Sequence, residues 1–212
     1  MPGEVLNGGR LMGYREQFQP LTREDTITVV LYRIGIVLSA LIVSGLAYLL
    51  TTAASNHSAA TISPSGDILA YGLYASVGMS VFFIHLYVSK FKKYLKNLYY
   101  ISLVCLIALL FIGNGFLSAV IAHKPYGPLL LLPLSGCLGF VTAKEAFCFK
   151  LFEGYLLAMI MPLYLLLLSG GILLGRGAAF GLVLIATMLI IFTLRKVFMP
   201  LAYDIGDKSA YS

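Results

Sequence analysis

The densest group of reactive side chains in the sequence is a charged segment, Lys144–Glu153, between two apolar runs. It holds two ammonium groups, two carboxylates and a thiol, which could form ion pairs, contact a partner or supply a nucleophile. On a helical wheel its apolar members share one arc: Phe147, Cys148, Leu151 and Phe152. Its charged members that point away from this arc are Glu145, Lys150 and Glu153. This pattern predicts a short corner at a membrane surface between two helices.

Other charged residues are expected at the same membrane depth as this corner. Arg33 lies near the start of the first apolar run, and Asp204, Asp207 and Lys208 follow the last one. Charges at a surface can hold a partner only when several act together. We therefore predict a partner-docking face that contains Arg33, Lys144, Glu145, Lys150, Glu153, Asp204, Asp207 and Lys208. The alternative is that these side chains extend to water or satisfy one another, for example as an Arg33–Glu145 pair.

His85 and Cys148 are the remaining residues with chemical potential. His85 could form a hydrogen bond to a neighbouring helix. Cys148 lacks an obvious base in the sequence. We find no hydrolase, metal-binding, phosphate-binding or dinucleotide-binding motif, so we predict that the protein is not an enzyme and holds no metal.

Two prolines suggest a different function. Pro133 and Pro162 lie in the apolar runs on either side of the charged segment, with Gly136 and Gly139 beside the first. Broken helices can expose backbone groups to a substrate, so a small-solute or ion transporter is the alternative to docking. No carboxylate or basic side chain near the predicted midplane supports ion coupling.

The elements that must position these residues are membrane helices. The chain has 212 residues with 59% hydrophobic and 11% charged residues, far from the composition of soluble domains. We predict an all-α polytopic membrane protein of about six transmembrane helices, with the corner between the fourth and fifth. The predicted organisation is an N-terminal tail over residues 1–25, a six-helix domain over 26–198 and a C-terminal tail over 199–212.

The distribution of basic residues predicts the orientation. Thirteen of the 15 Lys and Arg residues lie in the two terminal regions, the second-to-third loop and the corner. Cytoplasmic segments of membrane proteins carry such an excess, so both termini are expected in the cytoplasm or stroma. The net charge of +6 is thereby explained by the lipid bilayer without nucleic acid as a partner.

Several segments resemble a known family. They are K-E-A-F-C-F at Lys144–Phe149, L-R-K at Leu194–Lys196, D-I-G-D-K-S at Asp204–Ser209, the Tyr14–Phe18 segment and V-x-L-Y-R at Val29–Arg33. The chain resembles an integral-membrane family of cyanobacteria and plastids that is catalogued only as a domain of unknown function (family 2301).

This resemblance implies a thylakoid membrane, or the plasma membrane of a cyanobacterium. Together with the charged face, it leads us to expect a non-catalytic auxiliary subunit or assembly factor of a photosynthetic membrane complex. The expected partner is therefore a larger membrane protein complex. In that setting His85 could ligate a chlorophyll magnesium, and chlorophyll or a carotenoid stays open as a cofactor.

Overall fold

The computed structural model describes residues 22–55, 64–86, 89–201 and 204, without the side chain of His123. The secondary structure within these ranges is entirely helical. The helices are α1 (Arg23–Ser55), α2 (Pro64–Phe83), α3 (Ser89–Ile112), α4 (Leu117–His123), α5 (Tyr126–Leu129), α6 (Leu132–Phe149), α7 (Phe152–Ser169) and α8 (Arg176–Val197).

Five of these helices are long and apolar enough to cross a membrane: α1, α2, α3, α7 and α8. Many of their large apolar side chains face outward, including Phe111 and Phe180, which are 81% and 73% exposed. An apolar exterior is what a lipid bilayer requires, so the all-α polytopic class predicted from the sequence is confirmed.

The α6 helix corresponds to the predicted fourth span but is not among the five. Its 18 residues include Lys144 and Glu145, which lower its mean hydropathy. Nevertheless, α6 reaches both ends of the helical domain, as α1 and α8 do. Its main neighbours are α7 and α3.

Some helix boundaries are not apparent from hydropathy. The small polar residues that follow Leu50 still belong to α1, which continues to Ser55. The apolar run of the third helix extends to Ala122 in the sequence, whereas α3 ends at Ile112 and the short α4 follows. Asn114 and Gly115 have positive φ values of 48° and 94°, which a helix does not allow. Apolar composition alone could not reveal this break.

The first turn of α1 is capped by Thr22 and Asp25. The backbone N–H of Asp25 donates to the Thr22 hydroxyl at 3.2 Å, and the N–H of Thr22 donates to the Asp25 carboxylate at 3.1 Å. This reciprocal arrangement satisfies two backbone donors at the first turn.

Glycines allow two helix pairs to approach closely. A Cβ at Gly35 of α1 would lie 2.8 Å from the carbonyl oxygen of Ser76 in α2. A Cβ at Gly154 of α7 would overlap the carbonyl oxygen of Thr142 in α6. Small residues bring helix backbones together in this way within membranes.

Candidate functional site

Five charged side chains meet where α1, α6, α8 and the segment after α8 come together. We call this group the charge cluster: Arg33, Lys144, Glu145, Lys196 and Asp204. Asp204 lies between two of its cations. Its Oδ2 is 2.7 Å from Nε and 2.6 Å from Nη2 of Arg33, and its Oδ1 accepts from Lys196.

Glu145 is linked to Asp204 through the ammonium group of Lys196. Its Oε1 accepts from the Tyr32 hydroxyl at 2.6 Å and from Lys144 Nζ at 2.8 Å. Its Oε2 forms an ion pair with Lys196, the cation that also contacts Asp204. The two carboxylates are therefore linked by one shared ammonium group.

The cluster is shielded from solvent and carries a net positive charge. Arg33, Glu145, Lys196 and Asp204 are 8%, 0%, 0% and 5% exposed. Three cations against two carboxylates give a formal charge of +1. A cation–π contact stabilises one of these cations, since Lys196 Nζ lies 4.1 Å from the centroid of the Phe149 ring.

Arg33 also closes the C-terminal end of α8. Its guanidinium donates to the carbonyl oxygens of Val197 at 3.2 Å, Met199 at 2.6 Å and Pro200 at 3.0 Å. These carbonyls lack partners within the helix, and a cation at a helix C-terminus complements the helix dipole. The first helix thereby holds the end of the last one.

This geometry corrects the predicted surface position of several site residues. Arg33, Glu145 and Asp204 were expected at a solvated face but are buried, because each finds its counter-charge inside the protein. The alternative, that these side chains satisfy one another, describes them better, although the partners differ from the example pair Arg33–Glu145. Arg33 pairs with Asp204, and Glu145 with Lys144 and Lys196.

The other predicted docking residues are placed differently. Lys150 is exposed, and Glu153 pairs with Arg195 outside the cluster. Asp207 and Lys208 lie outside the described residues, so their predicted role is not addressed. Lys196 was missed as a site residue, because its position beside Arg195 in a basic motif suggested orientation in the membrane alone.

The polar and apolar sides of the charged segment are reversed relative to those of a surface helix in a soluble protein. The apolar arc faces outward, with Phe147 78% and Phe152 68% exposed, while Glu145 faces the interior. Leu151 departs from the arc and is buried. The corner itself is a tight turn in which Lys150 has a φ of 54°. Bilayer surroundings explain the inversion, because the exterior of a membrane protein is apolar and its buried charges pair internally.

His85 follows α2 and contacts α1. Its Nε2 lies 3.3 Å from the Thr28 hydroxyl, and its buried Nδ1 has no hydrogen-bond partner among the described residues. Burial, reinforced by the positive charges of Lys92 and Lys144, lowers the pKa of His85 below its usual value. A neutral imidazole is therefore favoured near neutral pH.

Neither a reactive Cys148 nor a metal site is supported by the contacts among the described residues. Cys148 is exposed, and no hydrogen bond joins it to His85 in the part of the chain that the structure describes. The described residues also contain no group of three or more His, Cys, Asp or Glu side chains able to hold a metal ion.

A cavity of about 1020 Å³ occupies the opposite end of the helical domain. Its lining residues come from α1, α2, α4, α5, α6, α7 and α8 and from the segments between them. Each cluster helix lines it at the end far from the cluster: Val43 and Leu50 on α1, Leu134 on α6, and Leu182 on α8. We call these regions the cavity end and the charged end.

Three helices, α1, α6 and α8, contribute to both the cavity and the charge cluster. A packed layer separates the two ends, and its side chains are at most 1% exposed: Tyr32, Ile36, Val141, Leu157, Leu189 and Phe192. The structure thus has an open end and a closed end.

The two prolines differ in their effects. Pro133 lies in the first turn of α6, where no intrahelical donor is needed, so it does not break this helix. Pro162 lies inside α7, next to the cavity-lining Met161. A Cβ at Gly139 would lie 3.4 Å from the Cα of Ala158 in α7, so this glycine serves close helix packing.

The fold and these features define a polytopic, all-helical integral membrane protein. The chain belongs to the family described as "Uncharacterized integral membrane protein (DUF2301)", whose model matches residues 79–212. This confirms the resemblance seen in the sequence. No curated protein and no solved structure matches the chain.

Proposed function

We propose that the protein moves a small solute across the bilayer, with the cavity as its entry site and the charge cluster as part of its closed end. One observation carries this proposal: α1, α6 and α8 each line an open cavity at one end and a buried ion-pair network at the other. Transporters expose a central site to one side while contacts between helices close the other.

The packed layer between the two ends also supports this proposal. It must separate for a solute to pass, and the ion pairs beyond it hold α1, α6 and α8 together. Charged groups inside a membrane domain are costly and commonly mark transport pathways. Weakening the cluster should therefore favour opening at the charged end.

The test compares two charge-neutral double substitutions in proteoliposomes. K144M/E145Q removes one cation and one carboxylate from the cluster. The control, R195M/E153Q, removes the exposed ion pair between Arg195 and Glu153. Glycerol flux is followed by stopped-flow light scattering and proton flux by entrapped pyranine. We expect wild-type flux above that of protein-free vesicles, faster flux for the cluster variant and unchanged flux for the control. Flux at the level of protein-free vesicles for both wild type and cluster variant contradicts the proposal.

A second candidate is the docking function, as a non-catalytic auxiliary subunit or assembly factor of a photosynthetic membrane complex. The observation that favours it is an exposed aromatic group at the charged end: Phe147, Phe152 and Phe198 are 78%, 68% and 84% exposed. Exposed Lys150 and the half-exposed Arg195 accompany them. Aromatic and basic side chains are enriched in protein interfaces, although they also anchor helices at the bilayer surface.

Native electrophoresis in mild detergent, with mass spectrometry of co-migrating proteins, tests docking. We expect F147A/F152A to lose a partner that the wild type retains. Phe111→Ala, which shortens an equally exposed aromatic side chain on α3, should retain it. Equal partner retention by the two variants would remove this group from the docking surface.

The proposed setting is a thylakoid or cyanobacterial plasma membrane, with the charged end in the stroma or cytoplasm. Its support is the excess of basic residues and the implied phototroph origin. In a variant whose native cysteines are replaced, a cysteine at Ser58 should react with an impermeant thiol reagent only from the opposite side. Reaction from the cytoplasmic side alone would reverse the orientation.

A further inference from the structure

We propose that the outer side of α3 binds an anionic phospholipid, with the lipid phosphate held by the ammonium groups of Lys90 and Lys93 and an acyl chain lying along the helix. Both lysines are exposed, and neither forms an ion pair among the residues that the structure describes. This inference assigns a lipid site on the outer surface, so it goes beyond the proposed transport function and does not depend on it.

The start of α3 concentrates positive charge. Its lysines are Lys90, Lys92, Lys93 and Lys96, and its first turn contains no acidic residue. Cations near a helix N-terminus oppose the helix dipole, and like charges three or four residues apart repel each other. The helix alone therefore disfavours this arrangement, and an anion from outside the chain would offset both effects.

The four lysines divide between two sides of α3. Lys92 and Lys96 are half-buried: Lys96 Nζ lies 5.5 Å from the centroid of an aromatic ring of α2, and the charge of Lys92 helps to lower the pKa of His85. Lys90 and Lys93 are exposed and three residues apart, so their side chains are neighbours on the outer side. This second pair can therefore approach one phosphate together.

The side of α3 that carries the exposed lysines continues as an apolar surface. Residues three, four or seven positions apart share one side of a helix. We call the exposed residues that follow this spacing the outer stripe: Lys90, Lys93, Asn97, Ile101, Val104 and Phe111. Its three apolar members are 53%, 66% and 81% exposed. Lysines at one end and apolar side chains along the rest match the headgroup and the acyl chain of a lipid.

A lipid fits the outer stripe better than a soluble anion or an acidic protein does. Tyr94, next to Lys93, is 79% exposed, and tyrosine is enriched where the bilayer meets water. Lysine clusters beside a membrane helix attract anionic lipid headgroups. A soluble phosphate would leave the apolar part of the stripe unused, and an acidic protein would have to displace the lipids that cover it.

The experiment is native mass spectrometry of the purified full-length protein, titrated in detergent with phosphatidylglycerol or with phosphatidylcholine of the same acyl chains. We expect wild type to bind phosphatidylglycerol more tightly, and added ammonium acetate to weaken this preference. K90Q/K93Q should weaken phosphatidylglycerol binding by roughly 5- to 30-fold, because each lysine near a lipid surface contributes about a fivefold attraction. Phosphatidylcholine binding should stay unchanged.

Two control variants separate this site from a general attraction by positive charge. K92Q/K96Q removes the same charge from the half-buried side of the same turns, so phosphatidylglycerol affinity should stay near the wild-type value. K90R/K93R keeps both charges and should retain binding. Glycerol phosphate, which carries the phosphate without acyl chains, should not displace the lipid.

Three results would overturn the inference. They are equal losses of phosphatidylglycerol binding in K90Q/K93Q and K92Q/K96Q, equal affinities of wild type for the two lipids, and displacement of the lipid by an equal concentration of glycerol phosphate. None of these outcomes depends on solute flux or on a protein partner.

Discussion

The ammonium group of Lys196 forms ion pairs with both Glu145 and Asp204, two carboxylates that belong to α6 and to the segment after α8. Arg33 reaches the same Asp204 from α1. Three parts of the chain that are distant in sequence are thereby joined through a charged network with almost no access to solvent. Its members depend on one another, because the loss of one leaves another charge buried without its partner.

Lys196→Met should be among the most destabilising substitutions in this chain. It leaves Glu145 and Asp204 buried with less compensation, and the removal of one member of a buried ion pair costs about 3–5 kcal/mol. Thermal unfolding in detergent can be followed by the reaction of buried Cys137 with a fluorogenic maleimide.

The neighbouring Arg195 provides the matched control. Its side chain is 51% exposed and pairs with Glu153, so Arg195→Met should cost no more than about 1 kcal/mol. Similar melting temperatures for the two variants would show that the ion pairs of Lys196 contribute little.

Tyr32→Phe tests the hydrogen bond that supports the Glu145 carboxylate. The hydroxyl donates to Glu145 at 2.6 Å, and a hydrogen bond to a charged acceptor contributes about 1.5–3 kcal/mol. Tyr164→Phe removes a hydroxyl from a neutral carbonyl acceptor and should cost about 1 kcal/mol. Comparison of the two melting temperatures gives the result, and a smaller loss for Tyr32→Phe would contradict it.

His85 should make the protein less stable in mild acid. Its pKa is lowered in the folded state, mainly by burial and further by Lys92 and Lys144, while Asp25 and Asp204 act in the opposite direction. Between this lowered value and the usual pKa of about 6.5, the unfolded chain binds more protons. Stability contributed by neutral His85 is therefore lost as the pH falls through that window.

The pH dependence is measured by comparing wild type with His85→Gln. Melting temperatures at pH 7.5 and 5.5 should decrease more for wild type than for the variant, since the glutamine does not titrate. Equal decreases would show that other groups cause the acid sensitivity.

Gly154→Ala should weaken the packing of α7 against α6. The added methyl group would overlap the Thr142 carbonyl oxygen and approach Ala146 Cβ to 2.8 Å, and overpacking typically costs about 1–3 kcal/mol. Gly177→Ala is the control, because the nearest atom to its new Cβ is a Leu173 side-chain carbon at 3.6 Å. We expect a lower melting temperature only for Gly154→Ala.

The sequence was sufficient to predict the membrane class and most helices, because hydropathy is a local property. It also located Glu145 and Asp204 as unusual residues. Their partners could not be predicted, since the Arg33–Asp204 contact joins residues 171 positions apart. Whether a charge near a helix end meets water or another charge depends on helix packing, which hydropathy does not encode.

The cavity was not predicted for a related reason. Its lining comes from helices that are distant in sequence, such as α1 and α8, and helix packing decides which of their side chains border the same space. The position of Pro133 was likewise misjudged, because an apolar run does not show where its helix begins.

The contact of Arg33 with the segment after α8 has a consequence for biosynthesis. During synthesis, α1 enters the membrane long before Asp204 and the Val197–Pro200 carbonyls have been made. Until then the guanidinium has none of these partners and is drawn toward the lipid headgroups. The final position of the first helix is therefore set only after the last one has been inserted, so premature termination before residue 197 would leave a chain with an unpaired arginine that quality-control proteases can recognise.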